Sequence, residues 1–440
     1  MNLRRYVSIL RLGAPILVGQ LGMIVVGFAD TTMVGRYSTD ALASASFVNN
    51  LFNVAIFACI GLTYGITPLA GTLFGRKRLA DIGALMRSAL PFNIVVAAAI
   101  MCIMGAIYLN LHRLGQPEYL LPVIRPYFLL YLAGVIPVAL FNVFAQWAYA
   151  INRTLMPMWI ILGANLLNVF GNWLLIYGNL GCPELGLTGA GIATLTARVV
   201  APVVIMAIFF GSRRYSDYSS GFRGARVNRR ELGRIAVTSW PVCLQMTFES
   251  GSFSVAAVMA GWLGAVELAS FQVLMILGSL GFCVYYSMAS AISVLVSNAA
   301  GCSDRAGMRQ IAFSGYHILL VLAAVACMLF VFAGHGLIGI FTRDPLVIAC
   351  AMTLIFPMVL YQLGDATQIC FANALRGTSN VMPMLWIAFV SYVVVGLPST
   401  YLLGFTAGMG LVGIVLSFSV SLFLAGGLFT YYFLRTTRAA

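Results

Sequence analysis

The sequence predicts an all-α integral membrane protein: twelve transmembrane helices forming two six-helix lobes with parallel topology. Composition, the length of the apolar runs and an internal repeat carry that reading. Of 440 residues, 61% are hydrophobic and only 8% charged, too few charges to cover a soluble surface. The apolar runs are about 18 to 30 residues long, the length a helix needs to cross a bilayer. They fall at 12–35, 42–73, 88–111, 125–150, 156–178, 187–211, 238–262, 267–299, 312–340, 346–374, 382–404 and 410–434. The first follows Arg4, Arg5 and Arg11. It is too long for a signal-peptide core and lacks a small-residue cleavage site, so it reads as a retained helix.

The halves repeat each other in register. Pro15 matches Pro241, Met33 and Gly35 match Met259 and Gly261, and Leu42-Ala43-Ser44 matches Leu268-Ala269-Ser270. Gly75 matches Gly301, and Met156-Pro157-Met158 matches Met382-Pro383-Met384; every one of these pairs is 226 residues apart. Gly186-Leu187-x-Gly189 then matches Gly410-Leu411-x-Gly413 at 224. Six spans per repeat is an even number, so both repeats start on the same side of the membrane. The expected division is a lobe over 1–211, a linker over 212–236 and a second lobe over 237–440. In the linker, Tyr215-Ser216-Asp217-Tyr218-Ser219-Ser220-Gly221 reads as flexible.

The net charge of +13 sets topology rather than a nucleic-acid surface. Of 25 basic residues, 20 fall in the loops of one side, among them seven from Arg213 to Arg234. Four (Arg36, Arg113, Arg125 and Arg343) fall on the other, and Arg198 lies within a span. Such asymmetry over short loops places the basic side, and both termini, in the cytoplasm. The expected partners are therefore membrane lipids and small molecules, with no nucleic acid, and the expected location is the plasma (inner) membrane of a prokaryotic-type cell.

Enzyme chemistry has little to work with. There are three histidines, His112, His317 and His335, without an HExxH pattern, and the sole lysine, Lys77, has no GxxxxGK context. The nine cysteines form no CxxC pair, so neither a disulfide framework nor a zinc site is supported, and no cofactor is expected. The chain reads as a non-enzyme.

Three of the twelve acidic residues, Asp30, Glu249 and Asp365, lie inside apolar runs; the other nine are expected in loops. A charge at mid-bilayer costs about 2.5 to 3.5 kcal/mol on insertion scales, so an ion or substrate site is the default explanation. Helix rise puts Asp365 about 16 Å above Arg376, and Glu249 at a similar depth above Thr238. Two carboxylates in one low-dielectric site do not both ionise easily, so one holds a proton or pairs with a cation. That makes Glu249 and Asp365 the candidate coupling pair for a proton and the candidate ligands for sodium. Tyr361, four residues before Asp365, shares its helical face, and its ring suits a cation. The positions aligned with Glu249 and Asp365 in the first repeat are Met23 and Ala139. The first repeat instead offers Asp30, with Asn168 and Asn172 on one face of the fifth span; Arg198 is a candidate partner for Asp30.

These residues resemble a known family, the multidrug and toxic compound extrusion (MATE) transporters. Phe28-Ala29-Asp30-Thr31-Thr32-Met33-Val34-Gly35 followed by Ala41-Leu42-Ala43 resembles its first-helix signature. Phe248-Glu249-Ser250 resembles its seventh-helix acid, and Tyr361-Gln362-Leu363-Gly364-Asp365-x-x-Gln368 with Leu375-Arg376-Gly377 its tenth helix in the NorM-type branch. Asn168-x-x-x-Asn172 and Gly189-x-x-Ile192-Ala193-Thr194 are similar to the fifth and sixth helices. The resemblance implies efflux of cationic amphipathic compounds by a monomer, in exchange for sodium ions or protons. Carried over, Glu249, Tyr361 and Asp365 form a second-lobe cation site, and Asp30, Asn168, Asn172 and Thr194 a first-lobe site. Some members have Asp where this chain has Asn172, which implies a less acidic first-lobe site here. A passive channel and a flippase of lipid-linked precursors are the rival readings. The first needs a continuous polar stripe; the second needs inward-facing basic residues.

Overall fold

A computed structural model describes residues 3–114 and 117–438, and every regular element among them is helical. In chain order the main helices are α1 Leu3–Tyr37, α2 Thr39–Thr63, α3 Ile66–Gly75, α4 Leu79–Leu109, α5 Leu121–Ala133 and α6 Val135–Ala150. Next come α7 Leu155–Tyr177, α8 Gly186–Gly211, α9 Ser216–Gly224, α10 Arg229–Leu263, α11 Ala265–Gly301 and α12 Arg305–Gly339. The chain ends with α13 Pro345–Thr353, α14 Ile355–Gly377, α15 Met382–Ala388, α16 Leu397–Tyr401 and α17 Gly410–Thr436. Two stretches, Phe389–Gly396 and Leu402–Thr406, flank α16 in the wider π winding.

Ten helical stretches are long and apolar enough to cross a membrane, and α13 with α14, bent by 52° at their junction, supplies an eleventh. The remaining expected span, 238–262, lies inside α10, which is 35 residues long. Its apolar character is diluted by Gln245, Thr247, Glu249, Ser250, Ser252 and Ser254. That dilution is a consequence of the polar site it carries. The twelve-helix, all-α fold class stands.

The duplication is written into the backbone. α11 begins and ends 226 residues after the α2–α3 pair, and α12 begins 226 after α4. The left-handed turn at Lys77 (φ 58°) returns at Ser303 (φ 57°), and that at Gly186 (φ 54°) returns at Gly410 (φ 57°). Left-handed conformations are uncommon outside glycine, so their recurrence at a fixed offset marks a common ancestor fold.

The chain divides into two compact units, Val18–Ser239 and Met1–Leu17 with Trp240–Ala440. In the first, α2, α4, α5 and α6 bury Phe52, Phe128, Tyr127 and Tyr131 in one apolar cluster. A second cluster gathers Trp147, Phe144, Phe209, Tyr218 and Phe222. The segment read as flexible contains α9, which docks on α4 in this unit. Gly83 and Gly221 make that approach feasible, because a Cβ at either would collide with a carbonyl oxygen of the other helix (Tyr218 or Ala80). The Trp147 indole packs edge-on against Tyr215 and Tyr218 at 5.1 and 5.6 Å, so aromatic burial overrides the polar composition of the segment.

In the second unit α14 packs against α11, α12 and α17. A Cβ at Gly364 would sit 3.0 Å from Leu422 of α17, and one at Gly278 2.6 Å from Met358. These bare positions let α14 run through the middle of the unit with nearly its whole cytoplasmic half buried.

The acids expected in loops are mostly at helix starts. Asp40, Asp81, Glu231 and Glu267 occupy first turns, and the Asp304 and Asp344 carboxylates accept hydrogen bonds from backbone N–H groups of Gly307 and Leu346. There they complement the positive end of the helix dipole and satisfy its free donors. This leaves Asp30, Glu249 and Asp365 as the acids deep within helices.

Candidate ion and substrate sites

The first unit brings Asp30, Asn172, Asn168 and Thr194 into one hydrogen-bonded chain. Asn172 Nδ2 donates to Asp30 Oδ1 at 2.5 Å and approaches Asn168 Oδ1 at 3.4 Å; Asn168 Nδ2 donates to Thr194 Oγ1 at 3.1 Å. The close crossing of α7 and α8 positions it. A Cβ at Gly189 would meet the Leu175 carbonyl oxygen at 2.5 Å, and one at Gly171 the Ala193 methyl at 2.9 Å. Asn168 and Asn172 are buried, and Asp30 is half-buried. Arg198 does not neutralise Asp30 by direct pairing. The ion pairs among the described residues are Arg78–Asp81 and Arg234–Glu231, and the Arg198 guanidinium stacks on the Tyr131 ring, 4.4 Å from its centroid. Tyr127 donates to the Tyr131 hydroxyl at 3.2 Å and lies within electrostatic reach of Asp30 and Arg198. The sequence reading missed both tyrosines, because nothing in α5 taken alone points them toward α1 and α8.

The second unit brings Glu249 and Asp365 into one buried region with Tyr361. Asp365 is 1% exposed and its Oδ2 atom has no hydrogen-bond partner. Glu249 Oε2 accepts from Gln245 Nε2 at 2.8 Å, one helical turn away. Tyr361 lies within electrostatic reach of both carboxylates. Its ring packs edge-on against Phe253 at 6.2 Å and Phe418 at 6.4 Å, and no hydrogen bond ties its hydroxyl to Asp365. Tyr285 donates to Gln362 Oε1 at 2.8 Å, which leaves Gln362 Nε2 buried without an acceptor.

One expectation about charge is corrected here. Arg376, placed in a cytoplasmic loop by its position after the tenth apolar run, is in the last turn of α14 and only 6% exposed. Its guanidinium donates to Asn373 Oδ1 and to the Tyr286 hydroxyl, the latter at 3.5 Å. A cavity of about 30 Å³, lined by Gln245, Glu249, Gln368, Asn373, Arg376 and Tyr286 among others, joins this end of α14 to the Glu249 carboxylate. A space of that size holds at least one water. No charge pattern in the sequence separates a buried terminal arginine from a loop arginine; packing against α11 decides it.

Each region is a set of hard oxygen atoms in a low-dielectric setting, suited to a proton or a small cation. The orphan Asp365 oxygen fits that chemistry, since a buried carboxylate needs a donor, a proton or a cation.

The comparisons with known proteins fall in line with this layout. The MatE family model matches the chain twice, over residues 15–174 and 241–402. The protein belongs to the MatE family. Members are membrane transporters rather than enzymes, and the two matches fall on the two repeats. A relative described as "Probable multidrug resistance protein NorM" from Photorhabdus laumondii is 28% identical over 432 residues, covering 96% of this chain and 94% of that one. "Multidrug resistance protein NorM" of Vibrio cholerae is 27% identical over 399 residues, covering 91% and 87%. Among solved structures, MATE in the bent conformation superposes with a TM-score of 0.89 at 17% identity, covering 98% of this chain and 95% of that one. The eukaryotic MATE transporter AtDTX14 gives 0.86 at 17% identity, covering 99% and 98%. The MatE fold is therefore common to the chain and these structures.

Proposed function

We propose that this protein exports cationic amphipathic compounds across the plasma (inner) membrane by exchanging them for sodium ions or protons, with both termini in the cytoplasm and the monomer as working unit. The observation that carries the reading is the Glu249–Asp365 pair: two acids buried in one unit, neither in an ion pair with a basic side chain. Such a pair costs free energy unless it regularly takes up a positive charge. Tyr361 supplies an aromatic wall beside it. The Asp30–Asn172–Asn168–Thr194 chain serves as a second, less acidic site. The names of the bacterial relatives support the multidrug part of the reading.

Mechanistically, ion binding to the acids favours one access state and drug binding the other, and each ligand shifts the equilibrium only by its differential affinity. Neutralising Asp365 removes that differential for the ion. The test uses purified protein in vesicles, a fluorescent cationic dye, and sodium and pH gradients imposed separately. Dye accumulation driven by one gradient supports antiport and names the ion; movement that ignores both gradients supports the channel reading instead.

A further inference from the structure

The eleventh span is wound differently from its repeat-mate, and the difference falls beside the acid pair. The fifth span, α7, is regular α-helix from Leu155 to Tyr177, whereas the corresponding region after Met382 turns to π winding over Phe389–Gly396. At the 226-residue offset, Asn168 of the first-lobe site corresponds to Val394, yet Asn168 is buried and Val394 is 51% exposed. Leu166, which is 73% exposed, corresponds instead to Tyr392, which is 1% exposed. The extra residue in each π turn rotates the helix so that a different position faces inward. π winding of this kind recurs at functional sites.

Tyr392 is delivered to a definite place. Phe389, three residues earlier, packs on Phe248, the neighbour of Glu249, with ring centroids 5.7 Å apart. Tyr392 lies within electrostatic reach of Glu249, Asp365 and Tyr361. Its hydroxyl is fully buried and has no hydrogen-bond partner. A buried tyrosine hydroxyl normally finds one. The same region holds the complementary orphan, Asp365 Oδ2, an acceptor without a donor.

We propose that Tyr392 is a positioning residue of the second-lobe site: it donates its hydroxyl hydrogen to the acid pair once the pair has released its ion, and the π turn is the movable element that brings donor and acceptor together. The inference rests on the antiport reading above. In the present conformation the two atoms are not bonded. After release, the ionised carboxylate has to be solvated by something other than water, and a tyrosine hydroxyl is a neutral donor that cannot trap the site as a lysine would. The titratable groups facing Tyr392 are Glu249 from α10 and Tyr361 and Asp365 from α14; α17, which packs on the π segment, offers Ser417 and Ser421.

The test compares wild type, Tyr392→Phe and Asp365→Asn in vesicles, titrating sodium at fixed pH and pH at fixed sodium. Tyr392→Phe keeps the ring and removes only the donor. The ion-free state then loses a hydrogen bond to a charged group, so the driving ion binds about tenfold more tightly. Half-saturation moves to lower sodium, or to a pH about one unit higher, while the maximal rate falls because release slows and dye half-saturation stays put. Unchanged or weaker ion dependence in Tyr392→Phe, with Asp365→Asn inactive, overturns the role of Tyr392 and leaves antiport standing. Gradient-driven transport in Asp365→Asn overturns the antiport reading itself, and the inference with it.

Discussion

Asp30 has one hydrogen bond, from Asn172, and that amide is buried. Asn172→Ala therefore leaves a carboxylate without its donor. The cost expected is about 1.5 to 3 kcal/mol, since the bond is to a charged group. Asn168→Ala spares that bond and breaks only the neutral one to Thr194, at about 0.5 to 1.5 kcal/mol. Thermal unfolding of the detergent-solubilised protein at neutral pH orders the two, with Asn172→Ala the lower; equal midpoints sink the proposed chain of dependence. At this scale the sequence was informative about acids and uninformative about their surroundings. Asp30, Glu249 and Asp365 announce themselves because a carboxylate in an apolar run is rare. Arg376 and Tyr392 do not, because an arginine at a helix end and a tyrosine among valines look the same whether they face lipid, water or a buried site.

Helices in this protein are set by where side chains are missing. A Cβ at Gly189 would meet the Leu175 carbonyl oxygen, and one at Gly413 the Leu403 carbonyl oxygen. Both contacts are with backbone, which has no rotamer to give, so Gly189→Leu and Gly413→Leu should each cost more than the usual overpacking range of about 1 to 3 kcal/mol. Gly105 in α4 has nothing within 4 Å of the added atom, so Gly105→Leu is the neutral control. The monodisperse yield on size-exclusion chromatography separates them; wild-type yield from Gly189→Leu contradicts the close-crossing argument. Helix positions were legible from run length and from the matched glycines and prolines. The helix at Ser216–Gly224 was not, since its six polar or glycine residues hide three aromatic-facing contacts that only α4 and Trp147 reveal. Nor was the π winding, because Phe389-Val390-Ser391-Tyr392 carries no proline or other break signal.

For the whole molecule, the sequence yields the duplication and the orientation by independent routes. Identical offsets give the first, and 20 of 25 basic residues on one side give the second. The orientation predicts that a green fluorescent protein fused after Ala440 fluoresces in cells, while alkaline phosphatase fused at the same place stays inactive; the reverse pattern refutes cytoplasmic termini. What neither route supplies is the division of labour between repeats, one built on an acid and two amides, the other on two acids and a cavity reaching Arg376.

The account depends most on Asp365 as an ion-coupling acid rather than a packing residue. Dye accumulation into vesicles should be measured under a sodium gradient and then a pH gradient, for wild type and Asp365→Asn at matched protein incorporation. The account predicts that one gradient drives uptake by wild type and that Asp365→Asn loses at least nine-tenths of it, a loss of about 1.4 kcal/mol or more in coupling. Gradient-driven uptake at the wild-type rate in Asp365→Asn would contradict it.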